Sequence, residues 1–201
     1  MAALRSLAAL IALALSACVS APSTDPAELG SGAWTLDPGH TSVVWRVRHM
    51  GLSWYTARFD EADATLDFDP ARPEAAALTA VIKAASVSTG DRDFDETLRG
   101  GSWFDADAHP ELVFRSTRIE KTGEASGRVH GELTIKGETR EIVLETEFYG
   151  GVFNPLEGRE AIGFRAETQI DRTEFAVGRL PGNLIGDAVR IEIEAEFLKS
   201  E

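Results

Sequence analysis

The sequence predicts an all-β domain, a closed antiparallel barrel of about eight strands with one short helix. Apolar residues fall on every second position in segment after segment, which is the side-chain period of a strand. Each segment keeps one wet and one dry face, the mark of antiparallel sheet rather than doubly buried parallel sheet. No internal repeat and no second linker interrupts the stretch from Ala33 to Lys199. The strands therefore belong to one domain, and closure removes the edges that an open sheet would expose.

The N-terminus carries a different signal. Met1–Arg5 holds one positive charge, and Leu7–Leu15 is an unbroken apolar run. That run is too short to cross a bilayer, which needs roughly 20 apolar residues. A basic start, a short apolar core and small residues after it describe a secretory signal. Leu15-Ser16-Ala17-Cys18 resembles the bacterial lipobox, which implies a signal peptide over residues 1–17 and a membrane anchor on Cys18. The alternative is ordinary cleavage near Ala17 or Ala21, leaving a soluble secreted protein. Cys18 is the only cysteine of the chain, and a lone thiol in an oxidising compartment is liable to pair with a partner. Lipidation would remove that liability. Residues 18–32 are rich in Ser, Ala, Pro and Gly and lack apolar periodicity, so they read as a flexible tether to a domain over 33–199.

Within the domain the first strand is expected over Ser42–His49, with Val43, Trp45, Val47 and His49 on one face and Arg46 and Arg48 on the other. Strands follow at Phe59–Asp69 and Leu78–Val87. Asp91–Leu98 is the candidate helix, stopped by Gly100-Gly101. Strands at Leu112–Glu120 and Val129–Lys136 flank a turn at Lys121-Thr122-Gly123-Glu124, and Lys136-Gly137-Glu138 makes the next turn. Ile142–Phe148 and Ile162–Ile170 alternate in the same way. The plainest case is Val189–Phe197, where Val189, Ile191, Ile193, Ala195 and Phe197 oppose Arg190, Glu192, Glu194 and Glu196. The pattern alone leaves a sandwich open as the alternative, although the cysteine and tryptophan pairing that would favour an immunoglobulin-like version is missing.

The formal net charge is -13. Loss of residues 1–17 removes Arg5 and no acid, giving about -14. Such an acidic balance argues against nucleic acid and against electrostatic docking on anionic headgroups. Catalytic signals are absent too. No HExxH, paired cysteines or other metal-ligand spacing occurs, and Gly178-Arg179-Leu180-Pro181-Gly182 lacks the GK[ST] ending of a phosphate loop. Asp91, Asp93, Asp95 and Glu96 lack the calcium-loop layout and read as a solvated helix start, favoured by the dipole. His49, on the apolar face, reads as a satisfied core histidine or a head-group contact. No catalytic residue and no metal site is assigned.

Several blocks together carry a family resemblance. Trp34-Thr35-Leu36-Asp37-Pro38-Gly39-His40-Thr41-Ser42 leads into Val43-Val44-Trp45-Arg46-Val47-Arg48-His49-Met50-Gly51, and Asp67-Phe68-Asp69-Pro70 follows. Leu98-Arg99-Gly100-Gly101-Ser102-Trp103-Phe104-Asp105 comes next, with His109-Pro110 and Phe114-Arg115-Ser116-Thr117. Gly131-Glu132-Leu133-Thr134-Ile135-Lys136-Gly137 and Asp171-Arg172-Thr173-Glu174-Phe175 close the set. In this order, over nearly all of the domain, the chain resembles YceI-like proteins. The resemblance implies a lipocalin-like barrel that holds a polyisoprenoid or quinone-like chain, needs no cofactor, and works as a non-catalytic carrier or store on the periplasmic side of a bacterial envelope. Two positions depart from the family: Ala57 precedes Arg58-Phe59 where many members have Gly, and Thr97 stands where many have His.

On that reading the lipid contacts lie on the dry faces. They are Val43, Trp45, Val47 and His49, then Phe59 and Phe114, then Leu133, Ile135, Leu144 and Phe148. Phe164, Ala166, Ile191 and Ile193 complete them. A barrel of this size is about wide enough either to be filled by side chains or to hold one ligand. Small inward residues, among them Gly131, Thr146, Ala166, Thr168 and Ala195, leave room along the axis, whereas Trp45, Phe114, Phe148 and Phe164 could fill it. A solid core would favour an envelope stress or structural interaction protein without ligand, and a hydrolase is the third class.

Overall fold

Alternating apolar residues build ten strands, and the computed structural model describes them within residues 21–200. They are β1 (Gly32–His49), β2 (Ser53–Phe59), β3 (Ala62–Phe68), β4 (Ala77–Lys83), β5 (Val87–Ser88), β6 (Glu111–Lys121), β7 (Ser126–Ile135), β8 (Glu138–Asn154), β9 (Arg159–Asp171) and β10 (Ile185–Lys199). Among the described residues the one α-helix, α1, spans Arg92–Arg99. Eight strands close a ring in the order β1-β10-β9-β8-β7-β6-β4-β3 and back to β1, every neighbour antiparallel. The fold class is the expected one.

The two extra strands are continuations. β2 and β3 form one course along β1, broken at Asp60-Glu61, and β4 and β5 form the next, broken by the 3-10 turn Ala84–Ser86. The sequence shows each course as one apolar run, because a bend does not disturb alternation over so few residues.

Strand β1 begins well before the expected Ser42. Its ladder with β10 runs Asp37↔Glu196 and resumes at Ser42↔Glu194, so Pro38–Thr41 bulge out opposite Ala195 alone. The bulge changes the inward parity from Trp34 and Leu36 to Val43 and Val47, which hides the continuity of the strand from a period-two reading. The expected turn at Lys136-Gly137 is a tight one: both residues have positive φ (54° and 81°) and bridge Ile135↔Glu138, as a twist-matched two-residue hairpin requires.

One end of the barrel is closed. Asp91 caps α1, accepting from the backbone N–H groups of Asp93 and Phe94. Leu98 on α1, Phe104 after it, and Phe175 and Val177 after β9 pack into the main core beside Val43 and Phe59. A second core of Trp34, Leu36, Ala64, Leu66, Phe68, Ile162 and Phe197 lies toward the other end.

The tether is not free along its length. Ser23 exchanges both backbone hydrogen bonds with Gly151 of β8, at 2.9 and 2.8 Å, and the Gly30 N–H donates to Glu160 at 3.2 Å. Composition missed this docking because the partner is a glycine pair. A Cβ on Gly150 would lie 2.6 Å from the Ser23 carbonyl oxygen, and one on Gly151 would lie 2.6 Å from a Leu29 methyl. Cys18 and residues 1–17 lie outside the described residues.

Candidate ligand cavity

Inward side chains of all eight ring strands enclose an apolar cavity of about 670 Å³. That falls within the roughly 300–1,000 Å³ of small-molecule sites. Its wall includes Val43, Trp45 and Val47 of β1, Phe59 of β2, Phe114 of β6, Leu133 and Ile135 of β7, and Leu144 and Phe148 of β8. Phe164 and Ala166 of β9 and Ile191 and Ile193 of β10 continue it. Thr146, Thr168 and Ala195 lie there too, so the small inward residues do leave space.

Three positions differ from expectation, His49, Gly131 and Asp95. His49 has the inward parity of β1 but is exposed and off the cavity wall, because the strand outruns the barrel before reaching it and pairs there with Ile185 and Ser53. Gly131 is buried but opens no space. Its missing Cβ would sit 2.4 Å from the Phe114 ring, so the glycine seats that ring. Asp95 is buried rather than solvated, accepting the Thr89 N–H and hydroxyl at 2.7 Å each. Those hydrogen bonds hold its carboxyl below the usual value of 3.8 against the opposing effect of burial, with Arg99 helping. Thr97, the departure from the family His, is exposed on α1 and donates to the Asp93 carbonyl, away from the cavity.

The two ends of the cavity differ in chemistry. At the closed end Phe104 stacks edge-on to Phe59 and Trp45, with centroids 5.2 and 6.4 Å away. Behind it Arg172 is buried, and its guanidinium donates to the carbonyls of Val177, Gly178, Leu180, Ile185 and Gly186 and to Asp187. All of its hydrogen-bonding capacity is thus spent on tying the loop that closes the barrel to the start of β10. Toward the other end Phe68, Phe148, Phe164 and Phe197 form a continuous aromatic cluster. The polar lining gathers at that end, with Thr24, Asp25, Glu120, Lys121, Glu124 and Ser126 beside Pro26, Pro70 and Pro73. This is the mouth, and the docked N-terminal segment forms part of its rim.

Sequence reasoning missed Phe104, Phe68 and Phe197 as lining residues. Phe68 and Phe197 were available by alternation, whereas Phe104 follows a helix and has no periodic signal. Chemically, the site can exclude water from a long apolar molecule and offer hydroxyls and charges only near its mouth. Among the described residues, the serine in the lining is Ser126 at the mouth, and neither cysteine nor histidine lines the cavity.

A family model described as YceI-like domain matches residues 34–197. A UPF0312 protein of Ectopseudomonas mendocina is 30% identical over 138 residues, covering 69% of this chain and 72% of its own. One of Pseudomonas putida strain W619 is 29% identical over 162 residues, covering 81% and 83%. Among solved structures, a Campylobacter jejuni YceI protein is 31% identical with a TM-score of 0.69, covering 77% of this chain and 90% of that one. A polyisoprenoid binding domain from Saccharophagus degradans is 12% identical with a TM-score of 0.62, covering 85% and 100%, and shares the fold alone.

Proposed function

This chain belongs to the YceI-like domain family, and on that footing we propose that it is an exported, membrane-anchored lipoprotein that carries or stores a long isoprenoid or quinone-like lipid in its barrel. The observation that carries the proposal is the apolar cavity running between a sealed end and a polar mouth. A structural relative described as polyisoprenoid-binding supports the ligand class. Binding here needs no cofactor and no chemistry. Burial of apolar surface at about 25 cal/mol per Å² supplies the affinity, and the polar rim meets whatever head group remains outside.

Placement of the N-terminus supports the anchor. Thr24, Asp25 and Pro26 stand at the mouth, and the five residue steps from Cys18 to Ser23 reach at most about 18 Å when extended. An acylated Cys18 would therefore hold the mouth toward the bilayer from which an apolar lipid is drawn, on the periplasmic side of the envelope. Cys18→Ala should stop lipidation and keep most of the protein out of the mature membrane-anchored pool, seen as loss of the acyl mass. A wild-type protein that is soluble without detergent and unacylated would remove the anchor from the proposal.

Mass spectrometry of an organic extract of the purified protein tests the carrier role. A long-chain apolar lipid near one per chain is expected. An extract without such a lipid, together with no uptake of a polyprenol from detergent micelles, would overturn it and leave an interaction protein of the envelope.

A further inference from the structure

The ladder that closes the barrel is open where Pro38–Thr41 bulge from β1, and side chains gather on the outer wall at that gap. Asp37 and Glu196 are register partners across it. The bulge folds the chain back, so that His40 Nδ1 lies 2.8 Å from Asp37 Oδ2. Asp37 is itself held, its Oδ1 accepting the Gly39 N–H at 2.9 Å and its carbonyl accepting the Thr41 hydroxyl at 2.7 Å. One donor atom from each of Asp37, His40 and Glu196 lies within 4.8 Å of the other two. Among the described residues no lysine or arginine pairs with either carboxylate; Asp37 has only His40. We propose that Asp37, His40 and Glu196 form a surface site for a divalent transition-metal ion of the Zn²⁺ class, which clips β1 to β10 across the gap.

The donor set suits that ion. Zinc takes imidazole nitrogen and carboxylate oxygen at about 2.0–2.2 Å, so two of its ligands in a tetrahedral site stand roughly 3.3–3.6 Å apart. Asp37 and His40, 2.8 Å apart, need to open by only about half an ångström for the ion to replace the proton they share. Glu196 comes in by rotating a flexible side chain, and water fills the remaining positions beside the exposed His40. The Gly39 N–H on Oδ1 orients the carboxylate, as outer hydrogen bonds do at metal centres. An imidazole ligand disfavours Mg²⁺ and Ca²⁺, which take oxygen. Because the ligands come from the first and last strands of the ring, the complete site exists only in the closed barrel, and binding must stabilise that state. This site is separate from the cavity and does not depend on a lipid.

Titration of the full chain, in detergent, with Zn²⁺ against a chelating fluorophore tests the site. One equivalent should bind, and His40→Ala and Glu196→Gln should each weaken it by roughly tenfold or more. Zn²⁺ should raise the melting temperature of the wild type but of neither variant, and Mg²⁺ should raise none. Both substitutions are at surface positions, so their Tm without metal reports whether the barrel is intact. No stoichiometric Zn²⁺ binding by the wild type, or unchanged affinity in both intact variants, would overturn the proposal.

Discussion

The guanidinium of Arg172 donates to five backbone carbonyls and one carboxylate within 3.0 Å, three of the acceptors in the loop leading into β10 and three in the first residues of β10 itself. Lysine has three donors on a compact head and cannot span that fork. Arg172→Lys should therefore lower stability by about 3 kcal/mol, read from urea denaturation, through acceptors left buried and unpaired. Asp187→Asn, at a half-exposed partner, should cost less than about 1 kcal/mol. Two further carboxylates make the closed end sensitive to acid. Asp95 is held below its ordinary 3.8 first by the Thr89 hydroxyl, and Asp171 first by the Thr173 hydroxyl. A carboxylate whose folded pKa is depressed contributes stability that is complete above the unfolded value and lost as pH falls through the folded one. Melting temperature should thus hold above about pH 4 and fall below it. Asp95→Asn keeps an acceptor for Thr89 without a titrating charge, so its melting temperature should fall less steeply over the same range.

At the scale of strands, the cavity makes opposite demands on neighbouring small residues. Ala166 lines open space, so Ala166→Trp should displace lipid, seen as reduced occupancy in the extract, while stability changes by less than about 1 kcal/mol. Glu167 is exposed on the same strand, and Glu167→Trp should leave occupancy unchanged. Gly131 faces a filled space, so Gly131→Ala should cost about 1–3 kcal/mol by urea denaturation. Gly151→Val should drive Leu29 and the Ser23 bridge off β8, and limited proteolysis would then cut within residues 21–31 faster than in the wild type. Alternation explains why most of the wall was legible in the sequence: from Val43 to Ile193, inward rows follow from period two once any one residue is known to be buried. The rest depended on information that pattern does not contain. His49 obeys the period but lies past the rim. Gly131 looks like vacancy because the ring that fills it comes from β6. Glu196 and His40 become neighbours only through the bulge and the β1–β10 register, so a spacing search along the chain passes over them.

For the molecule as a whole, polarity along the axis is the organising fact. The sealed end is built from α1, Phe104 and the Arg172 loop, and the mouth shares its rim with the incoming N-terminal segment. The ring itself joins Trp34 to Lys199 and Val43 to Ile193, positions from the two ends of the domain. That has a consequence for the order of events during biosynthesis. Contacts between distant positions require a long loop to close first, and such closure slows folding. A growing chain can pair β1 with β2 and β3 early, but the other edge of β1 must wait until residues 185–199 have been made. The cavity cannot be sealed along its side before then, and neither can any site shared by the two edge strands. Under the export proposed above, the chain would benefit from this delay, since the last segment to emerge from a translocation channel would be the one that locks the structure.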